Sequence, residues 1–140
     1  MDHLIIASHG SFASGIAQGI EILAGSPLDI RVIDAFVDGG NDICSPVNTT
    51  LQDIPSQDRV VVATDLLGGS VNNEFIKVIQ KRENVYLVTN MNLPLLITLV
   101  LSMDSVDDLD SFLRDLVQSN DVRPVYCNDL LVDVEEDEDF

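Results

Sequence analysis

The segment Leu4–Gly10 restricts the possible folds more than any other part of this 140-residue chain. It is a short apolar run that stops at Ser8 and His9 and is followed by glycine. Such a run, when a helical pattern follows it, is typical of a strand buried on both faces of a parallel sheet. In open α/β sheets, ligands bind beyond the carboxyl ends of the strands. His9 is therefore the first candidate functional residue.

Three more apolar runs alternate with helical patterns along the chain. Strands are predicted at residues 30–36, 59–64 and 85–89, and helices at 13–24, 43–51, 70–81, 93–101 and 105–118. This alternation predicts an α/β fold with a doubly wound, mostly parallel sheet and helices on both faces. We expect the strand order 2-1-3-4, as in flavodoxin-like folds. We also expect one domain over residues 1–134, followed by an acidic tail over 135–140.

The segment after the third strand carries the second set of candidate residues. In the order 2-1-3-4 the first and third strands are neighbours, so Asp65 is expected beside His9. A carboxylate bonded to one ring nitrogen fixes the tautomer and leaves the other nitrogen free to react. Gly68 and Gly69 allow backbone N–H groups to approach an anion, and Ser70, the expected N-cap of the next helix, lies where phosphate binds. Together these residues predict phosphoryl transfer through a phosphohistidine.

The net charge and the apolar segments exclude other classes of function. A formal charge of −17 argues against binding to nucleic acid or to an anionic membrane surface. From Asp104 onward there are 13 acidic and 2 basic residues, so most of the acidity lies away from His9. The longest apolar stretch, Leu93–Leu101, is shorter than the about 20 residues that a bilayer requires. We therefore expect a buried helix there and no membrane insertion.

The remaining reactive residues predict no second site. There is no P-loop lysine pattern, and His3 is the only other histidine. His3 falls at or before the start of the first strand, where we expect a surface or edge residue, and we expect neither a metal nor a cofactor. Cys44 and Cys127 are expected to be free thiols, buried or half-buried. Since no signal-peptide pattern precedes the first strand, the expected compartment is a reducing cytoplasm.

The candidate residues resemble the IIA component of the mannose/fructose/sorbose class of bacterial phosphotransferase systems. Three segments carry the resemblance, in the family's order and spacing: Ser8-His9-Gly10 with Ala13 and Gly15, Asp65–Ser70 with Asn73, and Asn92–Leu95. The resemblance covers roughly residues 1–120. One departure concerns Val71, where the family usually has proline, and we expect a looser start of the loop there without loss of chemistry.

The resemblance implies a role for each site residue. His9 would accept a phosphoryl group from the phosphocarrier protein HPr on its Nε2 nitrogen and pass it to a cognate IIB protein or domain during sugar uptake. Asp65 would bond to Nδ1, while Gly68, Gly69 and Ser70 would hold the phosphoryl group. Because the IIA component never touches the sugar, the sugar and the IIB partner stay open.

The resemblance also implies supporting residues and an assembly. Gly10, Asn73 and Asn92 would support the loops around the histidine. The family forms a homodimer in which an antiparallel edge strand near the C-terminus is exchanged between subunits, and residues 125–132 would supply that strand. The acidic ending, without a hinge-like linker, favours a free-standing protein over a piece of a IIAB fusion.

Two other classes of function stay open on the sequence alone. A histidine phosphatase also ends a strand in His-Gly, but such enzymes begin with Arg-His-Gly and need a second site histidine, whereas Ser8 precedes His9 here. A phosphotransfer subunit of a dihydroxyacetone kinase, or a non-catalytic regulatory module, has a similar fold. The loop of that subunit after strand three differs from the sequence of residues 68–71 here.

Overall fold

The strand that precedes His9 lies inside the sheet, with a neighbour on each side. In the computed structural model, which describes residues 1–131, this strand, β1, spans Asp2–His9. It pairs in parallel with β2 (Asp29–Ala35) and with β3 (Arg59–Thr64). The fourth strand, β4 (Val85–Val88), pairs in parallel with β3. The strand order is β2-β1-β3-β4, which confirms the predicted order and the predicted α/β class.

Helices cover both faces of this sheet. In the described part of the chain they are α1 (Phe12–Ala24), α2 (Cys44–Leu51), α3 (Ser70–Lys81), α4 (Leu93–Ser102) and α5 (Leu109–Gln118), with short 3-10 turns at Met103–Ser105, Asn120–Val122 and Cys127–Leu130. Helices α1, α4 and α5 pack on one face, while α2 and α3 pack on the other. None of the helices within residues 1–131 has the length and apolarity needed to cross a bilayer.

Alternate side chains of β1 build the two cores. Leu4 and Ile6 point into the core shared with α1 and α4, whereas Ile5 and Ala7 point into the core shared with α3. These four side chains are fully buried. Burial of a leucine or isoleucine side chain contributes about 1.5–3 kcal/mol, so the register of β1 is fixed from both faces. The polar residues Ser8 and His9 at the end of β1 are therefore fixed at the carboxyl edge of the sheet.

The last long helix begins later than its sequence pattern predicts. The apolar spacing predicts a helix from residue 105, but α5 starts at Leu109. Asp108 caps it, because its side chain accepts a hydrogen bond from the Ser111 N–H at 3.1 Å. The preceding residues, Met103–Ser105, form a 3-10 turn that ends α4.

The predicted C-terminal strand is not formed by the described residues. The segment 125–131 pairs with no strand, and Cys127–Leu130 form a 3-10 turn whose side chains are exposed. Within one chain these residues therefore form no edge strand, and Val132 lies outside the described part of the chain. A strand exchanged between subunits needs a second copy as its pairing partner, so the exchange itself stays a prediction. The acidic tail at 135–140 also lies outside the described residues.

The prediction that His3 lies on the surface or at a sheet edge was wrong. His3 lies within β1 and is only 3% exposed. Its Nδ1 is 2.7 Å from Asp29 Oδ2, and its Nε2 is 2.8 Å from Asp58 Oδ2. Burial is tolerated because both ring nitrogens have partners. Both cysteines are free, as predicted, but they are exposed and not buried or half-buried.

Candidate functional site

His9 and Asp65 meet at the carboxyl edge of the sheet, as the strand order predicts. In the parallel register Ala7 lies opposite Thr64. His9 at the end of β1 and Asp65 just after β3 therefore lie side by side. Asp65 Oδ2 lies 2.9 Å from His9 Nδ1 and also accepts the His9 backbone N–H at 2.9 Å. One carboxylate oxygen thus holds both the main chain and the ring of the histidine.

The environment of Asp65 keeps this carboxyl ionised. Burial acts to raise its pKa, but the hydrogen bonds from the His9 backbone and ring outweigh burial and hold the pKa of Asp65 below its usual range. The other oxygen, Oδ1, accepts the Leu66 N–H at 3.0 Å. An ionised carboxylate can only accept, so His9 Nδ1 carries the proton. The lone pair of the neutral imidazole is therefore on Nε2.

The other ring nitrogen of His9, Nε2, faces Ser70. Ser70 Oγ lies 3.3 Å from His9 Nε2, and the histidine side chain is 37% exposed. Ser70 was predicted as the N-cap of α3, but Gly69 occupies that position and Ser70 is the first helical residue, with no capping hydrogen bond from a side chain. Its hydroxyl is directed to the histidine instead. The first N–H groups of a helix have no intrahelical partner and carry partial positive charge, so this corner attracts an anion.

The two glycines of the loop have different roles. Gly68 has a φ of +79°, the left-handed region that side chains rarely adopt. Gly69 has an ordinary φ of −73°, but a Cβ added there would lie 3.0 Å from His9 Cε1. Gly68 is therefore required for the turn, whereas Gly69 is required for the close approach of the backbone to the imidazole.

The three predicted supporting residues differ in what they contact. Gly10, with a φ of +64°, donates its N–H to the Ala35 carbonyl at 2.8 Å and turns the chain out of β1. Asn73 donates its side-chain amide to the Gly68 carbonyl at 3.3 Å, so it supports the glycine turn. Asn92 is the N-cap of α4, and its side chain also donates to the Val122 carbonyl. Asn92 is thus held by α4 and by the turn after α5, and its side-chain hydrogen bonds do not involve the other predicted site residues.

The departure at Val71 is accommodated in the core. Val71 lies in the first turn of α3 and is fully buried beside Phe75, so the helix begins at Ser70 without a proline.

Sequence patterns missed Phe36, which lies against the histidine. Phe36 follows β2 with a φ of +66°, which is a strained conformation for a bulky residue. Its ring centroid is 5.5 Å from that of His9, with the planes tilted by 41°. No local pattern predicts a left-handed phenylalanine, because bulky residues rarely adopt this conformation. The ring restricts the imidazole from the side of β2.

Sequence patterns also missed a buried polar contact behind the loop. Thr64 and Asn72 are both buried, and Thr64 Oγ1 lies 2.7 Å from Asn72 Oδ1. One feature of the sequence could have indicated this contact. Asn72 lies on the same buried side of α3 as Val71 and Phe75. Buried polar side chains in such a position have hydrogen-bond partners.

Chemically, the site offers a nucleophilic nitrogen next to an anion-binding corner. A carboxylate bonded to Nδ1, as Asp65 is, sets the tautomer of an imidazole and can stabilise positive charge on its ring. Ser70 and the N-terminus of α3 lie on the Nε2 side. His3, the other histidine of the sequence, lies near the amino end of β1, far from this edge.

Comparison with known proteins identifies the family. The family profile described as PTS system fructose IIA component (EIIA-man) matches residues 3–117. The mannose-specific EIIAB component of Escherichia coli is 24% identical over 118 residues, which cover 83% of this chain and 36% of that protein. The chain thus spans about a third of the length of this relative.

Solved structures give the same result. A putative phosphoenolpyruvate-dependent sugar phosphotransferase system permease from Klebsiella pneumoniae is 35% identical, with a TM-score of 0.82 and coverage of 91% of each chain. The PTS IIA protein associated with the fucose utilization operon of Streptococcus pneumoniae is 28% identical, with a TM-score of 0.66 and coverage of 81% of this chain and 86% of that one. With its profile match, its strand order and these relatives, the chain belongs to the EIIA-man family of phosphotransferase-system IIA components.

Proposed function

We propose that His9 is the phosphoryl-carrying residue of this IIA component. It would accept a phosphoryl group from phospho-HPr and pass the group to a cognate IIB protein or domain during sugar uptake. The observation that carries the proposal is the arrangement of the imidazole, with Nδ1 2.9 Å from Asp65 Oδ2 and Nε2 directed to Ser70. The partial exposure of the ring supports it, because a phosphorylated partner protein has to reach Nε2.

The transfer step requires no group beyond the two imidazoles and the phosphoryl group. The lone pair of His9 Nε2 attacks phosphorus as the bond from phosphorus to the donor nitrogen of HPr breaks, and that bonding pair returns to the donor ring. The proton on Nδ1 stays between His9 and Asp65, and the positive charge that develops on the ring faces the ionised carboxylate. Transfer to IIB is the same displacement with His9 as the leaving group.

The phosphoryl oxygens have candidate partners on α3. The Ser70 hydroxyl lies within 3.3 Å of the nitrogen that would carry the group. The N–H groups of the first turn of α3, which begins at Ser70, supply further donors and the positive end of the helix dipole. Gly69 lies close enough to the ring for its backbone to contact a group on Nε2. These donors would hold the phosphoryl group between the two transfers.

A direct labelling assay tests the proposal. The protein is incubated with labelled phosphoenolpyruvate, enzyme I and HPr, and the adduct is tested for stability in acid and alkali. We expect an acid-labile, alkali-stable label on His9, seen by mass spectrometry, that is absent without HPr and absent in His9→Ala. A label that survives His9→Ala would contradict the assignment of His9. Release of inorganic phosphate without a stable adduct would favour the phosphatase alternative instead.

The proposed assembly and compartment follow from the same role. Phospho-HPr as donor and IIB as acceptor place the protein in the cytoplasm, and we propose a homodimer for it. Light scattering after size exclusion measures the assembly directly. A mass close to 15.3 kDa, that of one chain, at micromolar concentration would contradict the dimer.

A further inference from the structure

A largely buried hydrogen-bonded chain joins the end of β3 and the residue after β4 to the first turn of α3. Thr64 Oγ1 lies 2.7 Å from Asn72 Oδ1 and 2.8 Å from Thr89 Oγ1. A threonine hydroxyl has one proton, and an amide oxygen can only accept. Thr64 therefore donates to Asn72 and accepts from Thr89, so the direction of the chain is fixed. It connects the end of β3, the residue after β4 and helix α3.

The position of Asn72 is unusual for its chemistry. It is 2% exposed and lies between Val71 and Phe75, both fully buried in the core under α3. Asparagine is a poorer helix former than an apolar residue such as leucine or methionine, and its buried oxygen requires a partner. Its bond to Thr64 supplies that partner and fixes where the first turn of α3 sits on the sheet. An apolar side chain would also pack at this site, but it would not fix the position of the first turn of α3 on the sheet as closely.

The two ends of this hydrogen bond flank the loop that surrounds His9. Thr64 directly precedes Asp65, and Asn72 comes two residues after Ser70. The loop between them contains the carboxylate on Nδ1, the glycine against Cε1 and the hydroxyl toward Nε2. A bond across the base of the loop holds these three groups in one geometry.

We propose that Thr64 and Asn72 are positioning residues for phosphoryl transfer, acting through the loop 65–70. This inference rests on the proposed function of His9. Neither side chain is exposed, so neither contacts a partner protein. They act by keeping Asp65 and Ser70 aligned on opposite sides of the imidazole. When a change away from the reacting atoms displaces a catalytic group by about 1 Å, the rate can fall about 100-fold.

The test uses Thr64→Val, which keeps the shape of the side chain and removes the hydroxyl. Phosphoryl transfer from phospho-HPr is measured over a range of phospho-HPr concentrations. We expect kcat to fall about 10-fold at unchanged KM, because the docking surface is untouched. Thr64→Ser restores the hydroxyl and is expected to restore most of the rate. Asn72→Ala, which removes the acceptor and favours the helix, is the second variant if Thr64→Val does not fold.

A matched control separates positioning from loss of stability. Val60 is fully buried near the amino end of the same strand, opposite His3 and away from the loop. Val60→Ala is expected to lower the melting temperature and to keep the wild-type kcat where it is folded. The inference is overturned if Thr64→Val transfers at the wild-type rate, or slows no more than Val60→Ala, or if Thr64→Ser fails to rescue it.

Amide hydrogen exchange distinguishes a failure of this inference from a failure of the proposed function. If wild-type protein takes no label from phospho-HPr, the proposed function fails, while exchange still reports on the loop. We expect faster exchange at residues 69–73 in Thr64→Val than in Thr64→Ser, with unchanged exchange in β1. Equal exchange in the two variants would overturn the positioning role.

Discussion

The two ends of β1 each hold a histidine against a carboxylate, with opposite consequences. Near the amino end, His3 has both ring nitrogens within 2.8 Å of carboxylate oxygens, from Asp29 and Asp58, and its side chain is 4% exposed. At the carboxyl end, His9 has one carboxylate, Asp65, and a hydroxyl on the other side, and its side chain is 37% exposed. The same two residue types thus form two different kinds of site on one strand.

The difference is the availability of a ring nitrogen. Both nitrogens of His3 contact carboxylate oxygens inside the fold, whereas Nε2 of His9 faces a hydroxyl on a partly exposed ring. The hydrogen bond with His3 lowers the pKa of Asp58. Burial acts to raise the pKa of Asp29, but hydrogen bonds with His3 and Arg31 outweigh it and lower this pKa as well. The amino-end cluster therefore joins strands through hydrogen bonds, whereas the carboxyl-end pair leaves one ring nitrogen accessible.

The sharpest test of this comparison exchanges the two histidines for glutamine, one at a time. His9→Gln is expected to lose all phosphoryl labelling and to keep its stability within about 1 kcal/mol, since a partly exposed side chain is replaced. His3→Gln is expected to keep the labelling rate within about 2-fold and to lose about 1–3 kcal/mol, because it weakens two partly buried hydrogen bonds. Labelling with phospho-HPr and urea unfolding measure the two effects. Loss of labelling in His3→Gln, in protein shown to be folded, would contradict the division of roles.

The second prediction concerns the carboxylate at the reactive end. Asp65→Asn removes the charge that stabilises the ring and permits an amide donor to face Nδ1, which favours the tautomer with a proton on Nε2. Transfer from phospho-HPr is expected to slow about 100-fold. Asp110→Asn makes the same charge change on the exposed surface of α5, where Asp110 pairs with Arg114. It is expected to transfer at the wild-type rate, so equal slowing in both variants would indicate a general charge effect.

The third prediction concerns the backbone beside His9. Gly69→Ala requires no unusual φ, but its methyl group would lie 3.0 Å from His9 Cε1 and displace the ring from Asp65. Transfer is expected to slow about 10-fold, with little loss of stability. The control is Gly19→Ala in α1, where the nearest atom to the new methyl group is a Leu93 side-chain carbon at an ordinary 3.6 Å. An unchanged rate in Gly69→Ala would show that the imidazole does not depend on this close approach.

The smallest expected effect is a change in acid stability at the amino end. The pKa of Asp58 is lowered in the folded protein, so its contribution is present above the unfolded pKa of about 3.9 and is lost as pH falls through the lower folded pKa. When the pH is lowered from 5 to 2, the free energy of unfolding should therefore decrease less for Asp58→Asn than for the wild type. Urea unfolding over this range measures the slope. Parallel curves for the two proteins would show that Asp58 does not contribute to the pH dependence.

The fold was predictable because its signals are local. The apolar run before His9 and the β-branched run at residues 59–64 indicate buried strands by their own composition. Alternation with helices, together with the handedness of parallel connections, restricts the topology. From that order the meeting of His9 and Asp65 follows directly. The C-terminal strand was not predictable in this way, since its pairing would depend on another chain.

The finer geometry of the site was not predictable from local patterns. Ser70 was placed correctly near His9, but its hydroxyl contacts the imidazole instead of capping α3. Phe36 is left-handed, which is rare for a bulky residue, and the partner of Asn72 is a threonine on a different element. His3 was assigned to the surface or a sheet edge because the local sequence does not indicate that Asp29 and Asp58 contact its ring.

The sequence by itself determined which segments form the sheet, and hence that a histidine and an aspartate emerge together at its carboxyl edge. Only the tertiary structure decided which histidine keeps a nitrogen free. The partners of His3 are 26 and 55 residues away, and those of His9 are 56 and 61 residues away. Apolar periodicity is a property of neighbouring residues, whereas the state of an imidazole depends on the side chains that packing brings to each of its nitrogens.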